Sequence, residues 1–195
     1  MPSDKNDLAQ RIAISRPGDT VRGFIFKSVY GLVEQRLGNA GVDRLLMQLR
    51  VSKRPVDFFS YPVVDFLWLL YTAADMLEPH YPSIEETFRA CGAATVTGFF
   101  KSYVGNTLVN LIGMNDPKRL FSSVDTVYST LVSYGKRSYE NLGQGRYRLD
   151  FRGDMQPVYF HEGAHREVLL LMRGNGKVTG TALAIDHAQY LHEYE

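Results

Sequence analysis

The chain has 195 residues, 45% of them hydrophobic and 22% charged, a formal net charge of +1 and a single cysteine. That length suits one domain with a real core, and the near-neutral charge gives no pull toward nucleic acid or an acidic membrane surface. Cys91 has no partner for an internal disulfide, in keeping with a reducing cytoplasm. The basic pairs Lys53/Arg54, Lys118/Arg119 and Lys136/Arg137 are scattered and balanced by acids. The opening residues MPSDKNDLAQ are polar and hold no signal-like apolar run. Asp65 and Asp75 interrupt the most apolar stretch, which is too short and amphipathic to span a bilayer. A cytoplasmic protein is expected, with no membrane insertion and no nucleic acid.

Residues 1–20 read as a tail or loosely attached arm, and residues 21–195 as a single domain. A helix is predicted from about Val21, with Phe26, Tyr30, Val33 and Leu37 on one face and Gly38 at its end. A shorter helix follows over Val42 to Leu49, then a loop with two prolines. Pro62 opens the strongest helical pattern, carrying Val63, Phe66, Leu67, Leu70, Ala74 and Leu77. Ser83 and Glu86 form a capping-box pattern ahead of Ile84, Phe88 and Cys91. Gly98 and Gly105 mark a bend before a short apolar run at Leu108 to Ile112. After Asp116-Pro117, one helix is predicted through Leu120, Val124, Val127, Leu131 and Tyr134.

The period then changes. Tyr147, Leu149 and Phe151 alternate with Arg146, Arg148 and Asp150, the mark of a half-buried strand, and LGQG before it pairs it with RSYENL as a hairpin. A last helix is predicted from Val158 to Met172, RGNGK as a turn, and VTGTALAID with QYLHEYE as a terminal hairpin turning near His187. The layout is α+β: a helical N-terminal part, then a small antiparallel sheet with a long helix packed on it.

That last helix contains His161-Glu162-Gly163-Ala164-His165, the H-E-x-x-H pattern of zinc peptidases. At about 100° per residue, the histidines share an arc with Ala164, Val168 and Met172, away from Arg166 and Glu167. A hydrolase needs a third ligand, and only His187, His192, Glu193 and Glu195 follow, with no extended ligand pattern. Gly163 also weakens a helix by about 1 kcal/mol relative to alanine. A packing role for both imidazoles is therefore preferred, and a zinc hydrolase through His161, Glu162 and His165 is the alternative. Cys91 shares a stripe with Phe88 and reads as buried packing. The glycine groups match no phosphate loop. The 12 Tyr and 11 Phe, many on predicted helix faces, point to core packing and beyond it to an apolar pocket or an interface.

The order of several motifs resembles the myxobacterial paralogous domain family of unknown function. They are Arg22-Gly23, Tyr61-Pro62 with Trp68, Tyr81-Pro82 with Glu85-Glu86, and Pro117 to Leu120. That family is distantly similar to haem-nitric-oxide-binding domains, 4-vinyl-reductase-type ligand-binding domains and TRAPP tethering subunits. The resemblance implies the same α+β layout and either a small molecule held between the two parts or assembly with other proteins. The haem branch supplies a proximal histidine from the helix that here reads LFSSVDTVYSTL, where Tyr128 stands instead. It also carries Tyr-x-Ser-x-Arg where this chain has Tyr159-Phe160-His161-Glu162-Gly163.

The expectation is thus a non-enzymatic regulatory or signalling module acting through a protein partner or as a homodimer, tuned by a small hydrophobic ligand. A ligand-binding sensor domain is the alternative. Phe66, Leu70, Phe88, Cys91, Tyr128 and Leu131 are the candidate ligand-binding residues; no catalytic residue, cofactor or metal is expected. The purified chain should show no strong Soret band in its absorption spectrum, and a strong one would overturn the haem expectation.

Overall fold

The computed structural model describes residues 5–101, 107, 117–172 and 175–194. The elements in order are α1 (Lys5–Ile14), β1 (Thr20–Arg22), α2 (Gly23–Leu49), β2 (Ser60–Pro62), α3 (Val63–Leu77), a 3-10 turn (Glu78–His80) and α4 (Ile84–Lys101). Then come α5 (Pro117–Ser122), α6 (Val124–Leu131), β3 (Lys136–Gly143), β4 (Arg146–Arg152), α7 (Val158–Leu171), β5 (Gly176–Ala184) and β6 (His187–Tyr194). The run predicted at Leu108 to Ile112, Gly105 and the start of the RGNGK turn lie outside the described residues. Among the described residues no helix is long and apolar enough to cross a membrane.

The helical part follows its sequence periodicity closely. Val63, Phe66, Leu67, Leu70, Ala74 and Leu77 of α3 are all buried, while Trp68 on the other side is half exposed. The two helices predicted on either side of Gly38 run on as α2, with Gly38 at φ 67° marking the kink between them. Ser83 caps α4 by accepting the Glu86 N–H at 3.4 Å, but Glu86 itself turns to Arg89 at 2.7 Å rather than closing the box.

Three predictions are corrected. The helix expected over Leu120 to Tyr134 is two short helices, broken at Ser123 and ended at Leu131, where Val132 leaves to bridge Val21. No bend occurs at Gly98, because α4 runs through it. The chain at Val21 is strand β1, antiparallel to β2, and α2 starts two residues later. Three-residue strands carry too little alternation to be visible in a sequence. The N-terminal arm folds back as α1. Its Arg11 donates to the carbonyls of Met155 (3.2 Å), Gln156 (3.1 Å) and Ile185 (2.9 Å), and Asp7 is held by Arg11 and Tyr71.

Strands β3 to β6 form one antiparallel sheet in the order β3-β4-β6-β5. Register places Tyr147 opposite His192, Leu149 opposite Tyr190 and Phe151 opposite Ala188. Those residues therefore lie on one face, and the sheet's buried side chains there meet α7. The opposite face is polar, with Asp150 accepting from His187 (2.9 Å) and Gln189 (2.8 Å).

Helix α7 is also the joint to the helical part, through α4. A Cβ added to Gly92 would lie 1.8 Å from the Phe160 carbonyl oxygen, and one added to Gly163 would lie 2.0 Å from that of Arg89. The two backbones touch with a glycine from each helix in the contact. Gly163, a weakness for an isolated helix, is thus what lets α7 approach α4. Gly163→Ala or Gly92→Ala should lower stability by roughly 2 kcal/mol or more, since overpacking against backbone cannot relax. Gly31→Ala, in α2 with open space around it, should be neutral or stabilising by up to about 1 kcal/mol. Urea denaturation of the three variants measures this.

Candidate functional site

An apolar cavity of about 100 Å³ lies where the two parts meet. Phe24 and Ile25 of α2, Phe66 of α3 and Phe99 of α4 wall it from the helical part; Tyr128 and Leu131 of α6 and Ala164, His165 and Val168 of α7 close it from the other. Of the six candidate residues, Phe66, Tyr128 and Leu131 are brought together here. Leu70, Phe88 and Cys91 are buried in the helical core instead, with Phe88 edge-on to Tyr71 at 5.1 Å. Burial pushes the Cys91 thiol up to about 12, which keeps it protonated.

A buried polar chain borders the cavity. Tyr128 hydroxyl and His161 Nδ1 are 3.0 Å apart, and His161 Nε2 lies 3.0 Å from Asp154 Oδ1. Asp154 also binds the Arg137 guanidinium and accepts the Gln156 N–H at 3.1 Å. Arg137 donates to the Tyr134 carbonyl, and Gln156 Nε2 donates to the Tyr134 hydroxyl at 2.5 Å. Burial by itself would raise Asp154. The nearby His161 and Arg137 and the hydrogen bonds it accepts outweigh that and hold its carboxyl well below the usual range. An ionised Asp154 only accepts, so His161 Nε2 carries a proton toward it, while Nδ1 meets the Tyr128 hydroxyl. Burial pushes the Tyr128 hydroxyl upward, so it stays a donor. Arg137 further stacks over the Tyr128 ring at 4.9 Å.

The H-E-x-x-H residues therefore point different ways. Both nitrogens of His161 are engaged, and Glu162 binds Arg89 of α4 at 3.1 Å and Arg166 of its own helix. Among the described residues no group of three or more His, Cys, Asp or Glu side chains is placed to hold a metal. The wheel placed the two imidazoles on the apolar face, where they are; it did not separate their roles. His161 is the centre of the polar chain. His165 is buried among Phe121, Phe151 and Tyr190, and neither ring nitrogen has a hydrogen-bond partner among the described residues. His192 is likewise unpartnered, stacked on Tyr147 at 4.4 Å and 5.1 Å from His165. Burial first, then the neighbouring His192 and His161, press His165 well below the ordinary imidazole value, and burial presses His192 down to about 3.

Sequence reasoning missed Asp154 and Gln156, took Arg137 only as one of a scattered basic pair, and considered His192 only as a third ligand for zinc. Asp154 and Gln156 sit in the short link between β4 and α7, where nothing but tertiary contact explains a buried carboxylate.

A helical part joined by one long helix to a four-stranded antiparallel sheet, with a cavity between them, is the H-NOX fold. An H-NOX protein from S. oneidensis, in an Fe(II) state, matches with a TM-score of 0.74 at 16% identity over 89% of this chain and 96% of that one. The S. oneidensis protein in its Fe(II)NO state gives 0.73 at 15% over 89% and 99%. One from K. algicida, unliganded Fe(II), gives 0.70 at 15% over 89% and 96%. At such identities the likeness establishes the fold alone. The chain itself belongs to a family of proteins of unknown function, DUF2378, whose model matches residues 15–193. No curated protein matches it.

Haem is the group this fold implies, since haem distortion has been studied in an H-NOX relative. The residues here do not fit it. Drug-sized ligands already need roughly 300 Å³ or more, against about 100 Å³. The α6 side chains lining the cavity are Val124, Val127, Tyr128 and Leu131; Tyr128 is bonded to His161, and no histidine lies in α6.

The buried imidazoles make stability depend on pH. A folded value near 3 for His192, against about 6.5 in the unfolded chain, means the folded state binds fewer protons between those limits. Stability is complete above about pH 6.5 and falls as the pH drops, by roughly 2 kcal/mol for His192 on reaching pH 5, and His165 acts in the same direction. The losses from Asp154 and Asp150, both held low, set in only below about pH 4. Urea midpoints from pH 7.5 to 4.5 should show this slope, and His192→Phe should flatten it.

Proposed function

We propose that the chain is a non-catalytic regulatory module that holds a small apolar molecule in this cavity and reports its presence by associating with another protein surface. The observation that carries this is where the cavity lies. Its walls come from both parts, so an occupant changes the packing between them. A differential contact of that kind is what a ligand needs in order to shift a protein between two states. The Fe(II)NO state of the S. oneidensis relative supports a fold that hosts small ligands.

Two further features support the reading. The candidate nucleophile and base are both occupied elsewhere: Cys91 is buried and held protonated, and Glu162 is tied to Arg89 and Arg166. A surface for association is present as well. Val56, Phe58, Phe59 and Trp68 are each at least half exposed, Val56 and Trp68 line one groove, and exposed large apolar side chains support an interaction surface.

Native mass spectrometry of the purified chain, with thermal shifts in small aromatic compounds, tests the ligand half. A retained small molecule or a raised melting temperature is expected, and a solid core that takes up nothing would sink it. Sedimentation velocity over a concentration series tests the other half. Self-association weakened by Phe58→Ser and Phe59→Ser is expected; a monomer throughout, with no partner captured, would count against it.

A further inference from the structure

From the side chains lining the cavity we infer that its occupant is a neutral, ring-sized molecule bearing one hydroxyl, and that His165 recognises that hydroxyl. This deepens the cavity reading above and rests on it.

Size sets the first limit. A cavity near 100 Å³ is on the scale of the engineered apolar cavity of about 150 Å³ that admits benzene. Polarity sets the second. The walls are aliphatic and aromatic except at a few side chains, and most of these are already engaged. Tyr128 and His161 bind each other, Gln156 binds Tyr134, and the Arg137 guanidinium is paired with Asp154 through its terminal nitrogen, leaving only its Nε without a partner among the described residues. Thr95 donates to the Gly92 carbonyl at 2.7 Å. His165 differs. It lines the cavity, is 3% exposed, and neither of its nitrogens meets a partner among the described residues. A buried polar group left so is costly, by about 1–3 kcal/mol, and such a cost marks the place where a ligand group gains most.

Charge sets the third limit. His165 is held in its neutral form by burial, so it offers one N–H donor and one acceptor nitrogen. An anion would enter an apolar space where the one lining guanidinium among the described residues, Arg137, is already paired with Asp154, at a high desolvation cost. A carbonyl accepts but cannot donate, so it fits one ring tautomer alone. A hydroxyl both donates and accepts, and so fits His165 whichever nitrogen carries the proton.

Phenol and benzene, titrated by calorimetry into the wild-type chain and into His165→Leu, separate the outcomes. Phenol should bind the wild type about tenfold more tightly than benzene, and His165→Leu should abolish that preference while still binding benzene. Equal affinities in the wild type, or a preference that survives in His165→Leu, would overturn the role of His165 and leave the cavity reading standing. Failure of both compounds to bind would remove the cavity reading and this inference together. Should His165→Leu not fold, the ring nitrogen-15 resonances of His165 in the wild type decide. They should move with phenol and stay with benzene, and no response to phenol would overturn the proposal.

Discussion

The backbone contact of α4 with α7, where Gly92 faces Phe160 and Gly163 faces Arg89, is the constraint on which the rest of this structure depends. Helix α7 lies on the sheet with one face and on α4 with another, and only the absence of side chains at both glycines lets the two helices meet backbone to backbone. The helical part and the sheet share this joint. Its spacing decides how Tyr128, Ala164, His165 and Val168 face Phe24 and Phe66 across the cavity. A wider joint would enlarge that space; a single methyl group at either glycine would push it open.

A second constraint lies just beyond the joint. Asp154 gathers His161, Arg137 and the Gln156 N–H into one buried cluster, and Arg11 of α1 binds the Met155 and Gln156 carbonyls next to it. A buried charge pair of this sort adds little net stability against an apolar replacement, but breaking it by removing one partner is expensive. What it does here is hold three segments in one arrangement: the N-terminal arm, the start of β3 and the link into α7. The cavity therefore has an apolar side made by helix faces and a polar margin made by this cluster. His165 stands on the apolar side without belonging to the cluster.

That division separates this chain from the haem-bearing members of its fold. The overall frame is shared with H-NOX proteins at TM-scores above 0.7, yet the space between the parts is narrowed to about 100 Å³. Tyr128, His161, Arg137 and the surrounding aromatics take up volume and hydrogen-bonding capacity that a tetrapyrrole would need. The same scaffold thus carries a small pocket, and its chemistry is set by local side chains, not by the fold.

Much of the architecture is legible in the sequence by itself. The apolar stripe of α3, the alternation of Tyr147, Leu149 and Phe151, the hairpin glycines and the placement of α7 between two hairpins all follow from short-range periodicity and turn chemistry. The wheel also put His161 and His165 on the buried side of α7. Tertiary structure alone decided what those histidines do. One meets Asp154 and Tyr128 and the other meets no hydrogen-bond partner among the described residues, because hydrogen-bond partners come from segments 7 to 33 residues away in sequence. It likewise turned Gly163 from a helix weakness into a helix contact and folded α1 back through Arg11. It placed Phe66, Tyr128 and Leu131 at the cavity while leaving Leu70, Phe88 and Cys91 in the core. Periodicity says which face of an element is buried; only packing between elements says against what.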